Sequence, residues 1–424
     1  MSNKTLTAIA VICVITIVFS GFNSYLILNN FRVQQEQLSE LKNAVDKTKN
    51  SIGAVESVLS SLNSQINVLN QSMFTNITEF KTAVRTLDSN LKDLAFNVSN
   101  LERTVDRILQ QTPANIYETA HKSVVVITTP RVQGSGFLYS PNLILTNWHV
   151  VRNETDIEIK FHDGTTRKAS VAGTDPYSDV AVLMISSSPP DAKPLPLGNS
   201  SKLWVGQQVV AIGNPLGLTG SLSSGYISQI NKLIEIISVP IMVPVLQLDI
   251  TIAPGSSGGP LLDLSGNVVG ITNAGTLYGF NFAVPSNIVK RAVSSIIEKG
   301  YYRHPYVGFK GVELNPETIR ELNILNVESF QTGLLILEVI PDTPAAEVRL
   351  RAAVQTQAPD GSPAYIARDI ILAVDDHPTL TQEEWAAYVE EYVSPGQSIT
   401  LTLWRSGEIV SIAVTTTYRP PYLG

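Results

Sequence analysis

The chain has 424 residues and a net charge of −7, with 44% hydrophobic and 16% charged residues. That composition can fill two to three domain cores and excludes a disordered chain, and the acidic balance argues against general nucleic-acid binding, which needs a basic footprint. One cysteine, Cys13, excludes an internal disulfide or a cysteine-built zinc site, and none of the five histidines pairs at H-x3-H spacing, so no metal is expected.

Residues 5–31 carry no charged side chain, and Thr5 to Leu28 is a run of 24 mostly apolar residues. A helix needs about 20 to cross a bilayer. The run is longer than the apolar core of a cleaved signal peptide and lacks an A-x-A site, so 5–28 reads as an uncleaved membrane anchor. Lys4 and the amino terminus are positive ahead of it, whereas Arg32 and Lys42 beyond it are offset by Glu36 and Glu40. The positive-inside rule then puts residues 1–4 in the cytoplasm and the rest outside a cell membrane crossed once.

Residues 33–111 contain no proline and one glycine, Gly53. Apolar residues recur at alternating steps of three and four, from Leu38 to Met73 and from Ile77 to Ile108. This 3.5-residue repeat is a coiled-coil seam. The steps Leu69–Met73–Ile77 are four and four, a stutter that should unwind the supercoil locally. The pattern predicts one stalk on the order of 100 Å long, ended by Thr112-Pro113. Such a stalk needs partner helices and hence an oligomer, but the mixed seam does not fix the number of strands.

From 115 to 300 short β-rich runs alternate with turn residues, which indicates an all-β sandwich or barrel. No phosphate-binding glycine loop appears, and no organic cofactor is expected. Three segments carry chemistry: TNWHVV (146–151) with His149, DPYSDVAVL (175–183) with Asp179, and GSSGGP (255–260) with Ser257. A serine hydroxyl needs a base to take its proton, a histidine can do so near neutral pH, and a carboxylate holds the imidazole in the right tautomer. The glycines let backbone N–H groups of Gly255, Ser256 and Ser257 face one point as an oxyanion hole, worth roughly 3–4 kcal/mol per donor. The order His, Asp, Ser does not fit an α/β-hydrolase.

With GSGF (134–137), SDVAVL (178–183), AIGNPLGL (211–218) and QLDITIAPGSSGGPLLDLSGNVVGI (247–271), residues 115–300 resemble the HtrA/Deg family of trypsin-like serine proteases. The resemblance implies a chymotrypsin-like double β-barrel with the triad His149, Asp179 and Ser257 between the barrels. Trp148 stands where the family more often has a small polar residue or alanine, and Ser256 where asparagine is usual. Trypsin takes Lys or Arg because an acidic residue lies six positions before its nucleophile. Here that position is Thr251, so a small or medium aliphatic P1 residue is expected, with Ile252 and Thr272 of the 271–276 stretch lining the pocket. The segment between Arg131 and Gly134 is too short for the loop that helps some relatives form cages, which favours a homotrimer. The apolar runs LIEIISVP and IMVPVL within 219–246 mark loops that activation would order.

Residues 303–418 resemble a circularly permuted bacterial PDZ domain, an α+β module that binds C-terminal peptides by strand addition. Val307-Gly308-Phe309 matches its carboxylate-binding loop, and Trp385, Tyr388 and Val389 would wall the side-chain pocket. The stretch 346–369 is long beside the family's compact turn and is expected to alter or cover the groove. Residues 419–424 form a tail. His121, His162, His304 and His377 read as surface or structural residues.

The sequence therefore reads as a multi-domain, membrane-anchored HtrA-type serine endopeptidase that cleaves misfolded or unfolded envelope proteins through an acyl-enzyme, with peptide binding by the C-terminal module for regulation or delivery. A non-proteolytic chaperone or holdase and a coiled-coil surface scaffold are the alternatives.

Overall fold

A computed structural model describes residues 2–69, 77–214, 220–234, 242–273 and 280–422. It divides into two units, with the boundary between Thr112 and Pro113.

The first unit is helical, with α1 (Asn3–Leu69) and α2 (Ile77–Gln110). Residues 2–37 are exposed throughout, and this end of α1 is long and apolar enough to cross a membrane. Within 33–111, expected from the repeat as one stalk, α1 and α2 are the described helices. The two helices pack on each other, Val45 and Val98 are buried, and Lys49 pairs with Glu102. The physical reason is that a 3.5-residue stripe demands a helical partner without saying which chain supplies it. The stutter at 69–77 lies outside the described residues except at its ends.

The second unit opens with α3 (Pro113–Ala120). Six strands follow: β1 (Val124–Thr128), β2 (Gln133–Ser140), β3 (Leu143–Thr146), β4 (Ile157–Lys160), β5 (Thr166–Asp175) and β6 (Val180–Met184), with the one-turn α4 (Trp148–Val151) after β3. They close a barrel in the order β1-β2-β3-β6-β5-β4. Alternate residues Val125, Ile127, Leu138, Ile144, Ile157 and Ile159 fill it, the period-2 pattern of strands with one face inward. A second barrel, in the order β10-β11-β12-β9-β8-β7, is built from β7 (Gln208–Gly213), β8 (Ser221–Lys232), β9 (Val245–Leu248), β10 (Pro260–Leu262), β11 (Val268–Asn273) and β12 (Asn281–Pro285). A third cluster, with Phe137, Leu145 and Val182 from one barrel and Val210, Ile212 and Ile271 from the other, joins them. The architecture is a chymotrypsin-like double β-barrel. The expected activation-sensitive runs fall partly on 235–241, outside the described residues.

Helix α5 (Ser286–Lys299) buries Ile288, Val289, Ala292, Val293 and Ile296 on one face and stops at Gly300, whose φ of 83° suits a helix terminus. It leads into a five-strand path, β14 (Phe309–Leu314), β15 (Gly333–Val339), β18 (Asp369–Val374), β20 (Ser398–Arg405) and β21 (Glu408–Thr415), with β19 (His377–Pro378) on β18. Three helices accompany the sheet: α6 (Pro316–Glu321), α7 (Pro344–Glu347) and α8 (Gln382–Tyr392). Helix α8 starts on a Thr381–Glu384 capping box. At the neck of this unit β13 (Pro305–Tyr306) pairs with β22 (Thr417–Tyr418). The 346–369 stretch folds largely into a hairpin of β16 (Val354–Gln357) and β17 (Pro363–Ile366), and Ala353 and Tyr365 pack with Ile319 and Ile324.

Candidate active site

The three residues singled out by the sequence sit on the walls of the first barrel and the loop before β10. His149 lies on α4. Its main-chain N–H donates to Asp179 Oδ1 at 2.9 Å and its Nδ1 is 2.7 Å from Asp179 Oδ2. A carboxylate only accepts, so Nδ1 carries the hydrogen and Nε2 is left to accept a proton. Burial opposes a charge on this ring, but the Asp179 carboxylate more than offsets it, so the His149 pKa lies above its ordinary value.

Asp179 is fully buried and sits at φ 54°, a left-handed conformation that Asp tolerates better than most residues. Its main-chain carbonyl accepts from Trp148 N–H at 3.1 Å and from Asn147 Nδ2 at 3.0 Å. Asn273 Nδ2 donates to Asp179 Oδ2 at 2.7 Å.

Ser257 is buried at 5% exposure, and its carbonyl accepts from Ser135 N–H at 2.8 Å. Before it, Ala253–Ser256 forms a turn closed by Ser256 N–H to Ala253 O at 3.0 Å, with Gly255 at φ 94°. That positive φ follows Pro254, the residue pattern of a type II turn. The Ser135 hydroxyl donates to Gly255 O at 2.7 Å and accepts from Asn214 N–H at 2.8 Å, tying both barrels to the turn. A Cβ on Gly258 would lie 2.2 Å from Ser135 O and 3.1 Å from Asn147 N, so the serine loop runs directly against the segment that begins α4.

Of the two residues expected to line a specificity pocket, Thr272 lies on β11. It is 1% exposed and its hydroxyl contacts the carbonyls of Ser256 and Gly259 at 3.0 Å each, so it underpins the serine loop. Ile252 is 8% exposed and packs in the second barrel's core with Leu203, Leu248 and Ile250. Residues 274–276 lie outside the described residues. Sequence reasoning missed Ser135, Asn147 and Asn273 as supports. The signal available was the polar residue inside otherwise apolar strands, in GSGF, LTN and GITN.

The C-terminal unit holds a groove of about 880 Å³ between β14 and α8, bordered by Val307, Gly308, Phe309, Trp385 and Val389. Gly308 is at φ 94°, where a Cβ would strike Thr343 at 2.3 Å. Phe309 and Trp385 meet edge to face at 4.9 Å, and the Gln382 amide donates to Gly311 O across the groove. Tyr388 instead sends its hydroxyl to Asp375 at 3.2 Å. The 346–369 hairpin, expected to alter or cover this groove, does not border it. Leu233, Ile234 and Met242 of the second barrel do.

Among the histidines, His121 Nδ1 donates to Tyr117 O, 2.8 Å away, His162 lies 3.2 Å from Asp191, and His377 Nδ1 lies 3.1 Å from Asp375 O. His304 is 1% exposed and bonded to two carboxylates. Among the described residues no acidic, histidine or cysteine cluster could hold a metal ion.

Residues 134–271 match the trypsin-like peptidase domain family. The chain is 32% identical over 332 residues to "Protease Do-like 1, chloroplastic" of Arabidopsis thaliana, covering 75% of this chain and 72% of that protein. It is 34% identical over 291 residues to a "Probable periplasmic serine endoprotease DegP-like" of Halomonas elongata, covering 67% of this chain and 56% of the relative. The solved structure titled "HtrA-type protease AlgW with tripeptide" superposes with a TM-score of 0.58 at 28% identity, covering 74% of this chain and 99% of its own. On this fold and these similarities, the chain belongs to the HtrA family of trypsin-like serine proteases.

Proposed function

We propose that Ser257, His149 and Asp179 carry out peptide-bond hydrolysis. Ser257 Oγ attacks the scissile carbonyl while His149 Nε2 takes its proton, and the developing oxyanion is received by main-chain N–H groups at Gly255 and Ser257, with Ser256 between them. His149 then protonates the leaving amine, an acyl-enzyme remains, and water releases it by the same steps in reverse roles. The observation that carries this reading is the double grip of Asp179 on His149, at 2.9 and 2.7 Å, which fixes both ring and tautomer.

The substrates are unfolded or misfolded envelope proteins, whose extended segments fit a cleft between barrels. Thr251 offers no charge for a basic P1 residue, and a small or medium aliphatic one is the expected preference. The C-terminal unit acts as a PDZ module. The β14 edge beside α8, where no strand pairs among the described residues, suits strand addition by a C-terminal peptide that displaces the Gln382 amide from Gly311 O, with the Val307–Phe309 loop at the carboxylate; relatives of known structure are titled as bound to a tripeptide or a decapeptide. The apolar end of α1 anchors the chain in a cell membrane, N-terminus inside, and the protease faces the extracytoplasmic side, as the name of the periplasmic relative supports. The working assembly is a homotrimer.

The test is degradation of casein by the full chain in detergent beside Ser257→Ala, with labelling by an active-site phosphonate. Cleavage and labelling by the wild type alone are expected. Equal cleavage by both proteins, or absence of both cleavage and labelling in the wild type, would sink the proposal.

A further inference from the structure

Asp175 and Asp179 stand at the two ends of one turn. Asp175 closes β5, and its carboxylate accepts from Tyr177 N–H at 3.1 Å and from the Ser178 hydroxyl. The turn closes with Asp179 N–H to Pro176 O at 3.2 Å and delivers Asp179 at φ 54°. A short acidic side chain that binds the backbone two residues on is a turn staple. This one is 1% exposed, and a buried carboxylate needs a counter-charge.

His304 supplies it. Its Nε2 lies 2.9 Å from both oxygens of Asp175, and its Nδ1 lies 2.7 Å from Glu390 Oε2 on α8. An imidazole bonded to two acceptors through both nitrogens donates from both and is therefore the cation. Burial opposes that charge, but Asp175 and Glu390 outweigh it and push the His304 pKa up to about 10. The surrounding charged and titratable groups fit this state. Arg419 Nη2 lies 3.6 Å from Glu390 Oε1, and Arg291 of α5 donates to the main-chain carbonyls of Glu390 and Val393. The rings of Tyr177 and Tyr302 pack edge-on against the imidazole at 5.6 and 4.6 Å. The His304 carbonyl accepts from Arg419 N–H at 2.8 Å. A neutral ring has one N–H and could donate to only one of the two carboxylates.

We infer that His304 is a positioning residue for Asp179: by bridging Asp175 and Glu390 it locks the 175–179 turn and makes α8 part of the support of the catalytic carboxylate. This rests on the proteolytic reading above. It also means that one buried ion cluster holds both the wall of the proposed peptide groove and the turn that carries the acid of the triad.

The experiment measures kcat and KM of the full chain in detergent on a short fluorogenic peptide, for the wild type, His304→Gln, His304→Arg and Glu390→Gln, with a thermal melt of each. His304→Gln should lower kcat about tenfold or more with KM within roughly twofold, because only alignment in the transition state is lost. His304→Arg keeps a cation with donors for both carboxylates and should recover kcat to within about threefold. Glu390→Gln should fall between. A folded His304→Gln enzyme with wild-type kcat overturns the inference. If His304→Gln does not fold, wild-type kcat in Glu390→Gln overturns it, and reduced kcat at unchanged KM supports it. Absence of wild-type cleavage and Ser257 labelling overturns the proteolytic reading as well, whereas wild-type cleavage with unchanged variants overturns this inference alone.

Discussion

The amide of Asn273 and the imidazole of His149 converge on one oxygen, Oδ2 of Asp179, each at 2.7 Å. The other oxygen takes the His149 main-chain N–H, so the carboxylate is held from three directions before a substrate arrives. Asn273→Ala should lower kcat by roughly tenfold to a hundredfold with little change in KM, since one bond to a buried charge is lost. Asn273→Asp should do more: a second carboxylate beside Asp179 raises the pKa of the pair and moves the acid limb of the pH–rate profile upward. Wild-type kcat in Asn273→Ala would contradict the assigned support.

Asp179→Asn keeps the shape of the site but presents an amide to His149 Nδ1. The ring then favours the tautomer with its hydrogen on Nε2, where it cannot take the serine proton. A fall in kcat of about 10⁴ is expected, with phosphonate labelling of Ser257 slowed to match. Labelling at the wild-type rate would remove Asp179 from the mechanism.

Gly258 has φ 87°, and a Cβ there would sit 2.3 Å from Thr146 Oγ1. Gly258→Ala should cost about 1–3 kcal/mol through backbone strain, before the clash is counted. The serine loop should lose its shape, with cleavage lost. Retained cleavage at an unchanged melting temperature would refute the close approach.

Trp148, at the start of α4, has its own partner. Tyr422 meets it edge to face at 5.7 Å with planes 89° apart, and Arg152 lies over the indole at 4.8 Å. A double-mutant cycle of Trp148→Ala and Tyr422→Ala, read by denaturation, should give a coupling of about 0.5–1.5 kcal/mol. Additive effects would mean that the two rings do not support each other.

His304 also makes stability depend on pH. Its pKa is about 10 in the folded chain against an ordinary value of 6.5, so the folded state holds the extra proton between these values. The stabilisation is complete below pH 6.5 and is lost as pH rises toward 10, with a slope of at most about 1.4 kcal/mol per pH unit. Denaturation midpoints measured from pH 6 upward should fall along this slope in the wild type and stay flatter in His304→Arg. Parallel slopes would count against a buried imidazolium.

The parts of this molecule that were legible in the sequence are those written in short-range pattern. Strand alternation, turn glycines and the strings around His149, Asp179 and Ser257 give the barrels and bring the three residues forward as a set. The rest depends on distance along the chain. His304 reaches Asp175 across 129 positions and Glu390 across 86, which no local spacing encodes. Residues adjacent in a strand face opposite ways, so Thr272 bonds the serine loop while Asn273, its neighbour, touches Asp179. The helical repeat asks for a partner helix without naming the chain that supplies it, and α2 packs on α1 within the same chain.

The pairing of β13 with β22 joins the strand that enters the C-terminal unit to the strand that leaves it. Besides the packing of α8 on β8 and α5, the unit is therefore held at its root by a two-stranded neck rather than a single-chain swivel. A ribbon of this kind transmits torque, whereas a lone linker dissipates it in free rotation. His304 directly precedes β13 and Arg419 directly follows β22, so both sit at the root of the neck. The neck is therefore rooted in the residues of the buried ion cluster: His304 bonds Asp175 and Glu390, and Arg419 lies 3.6 Å from Glu390.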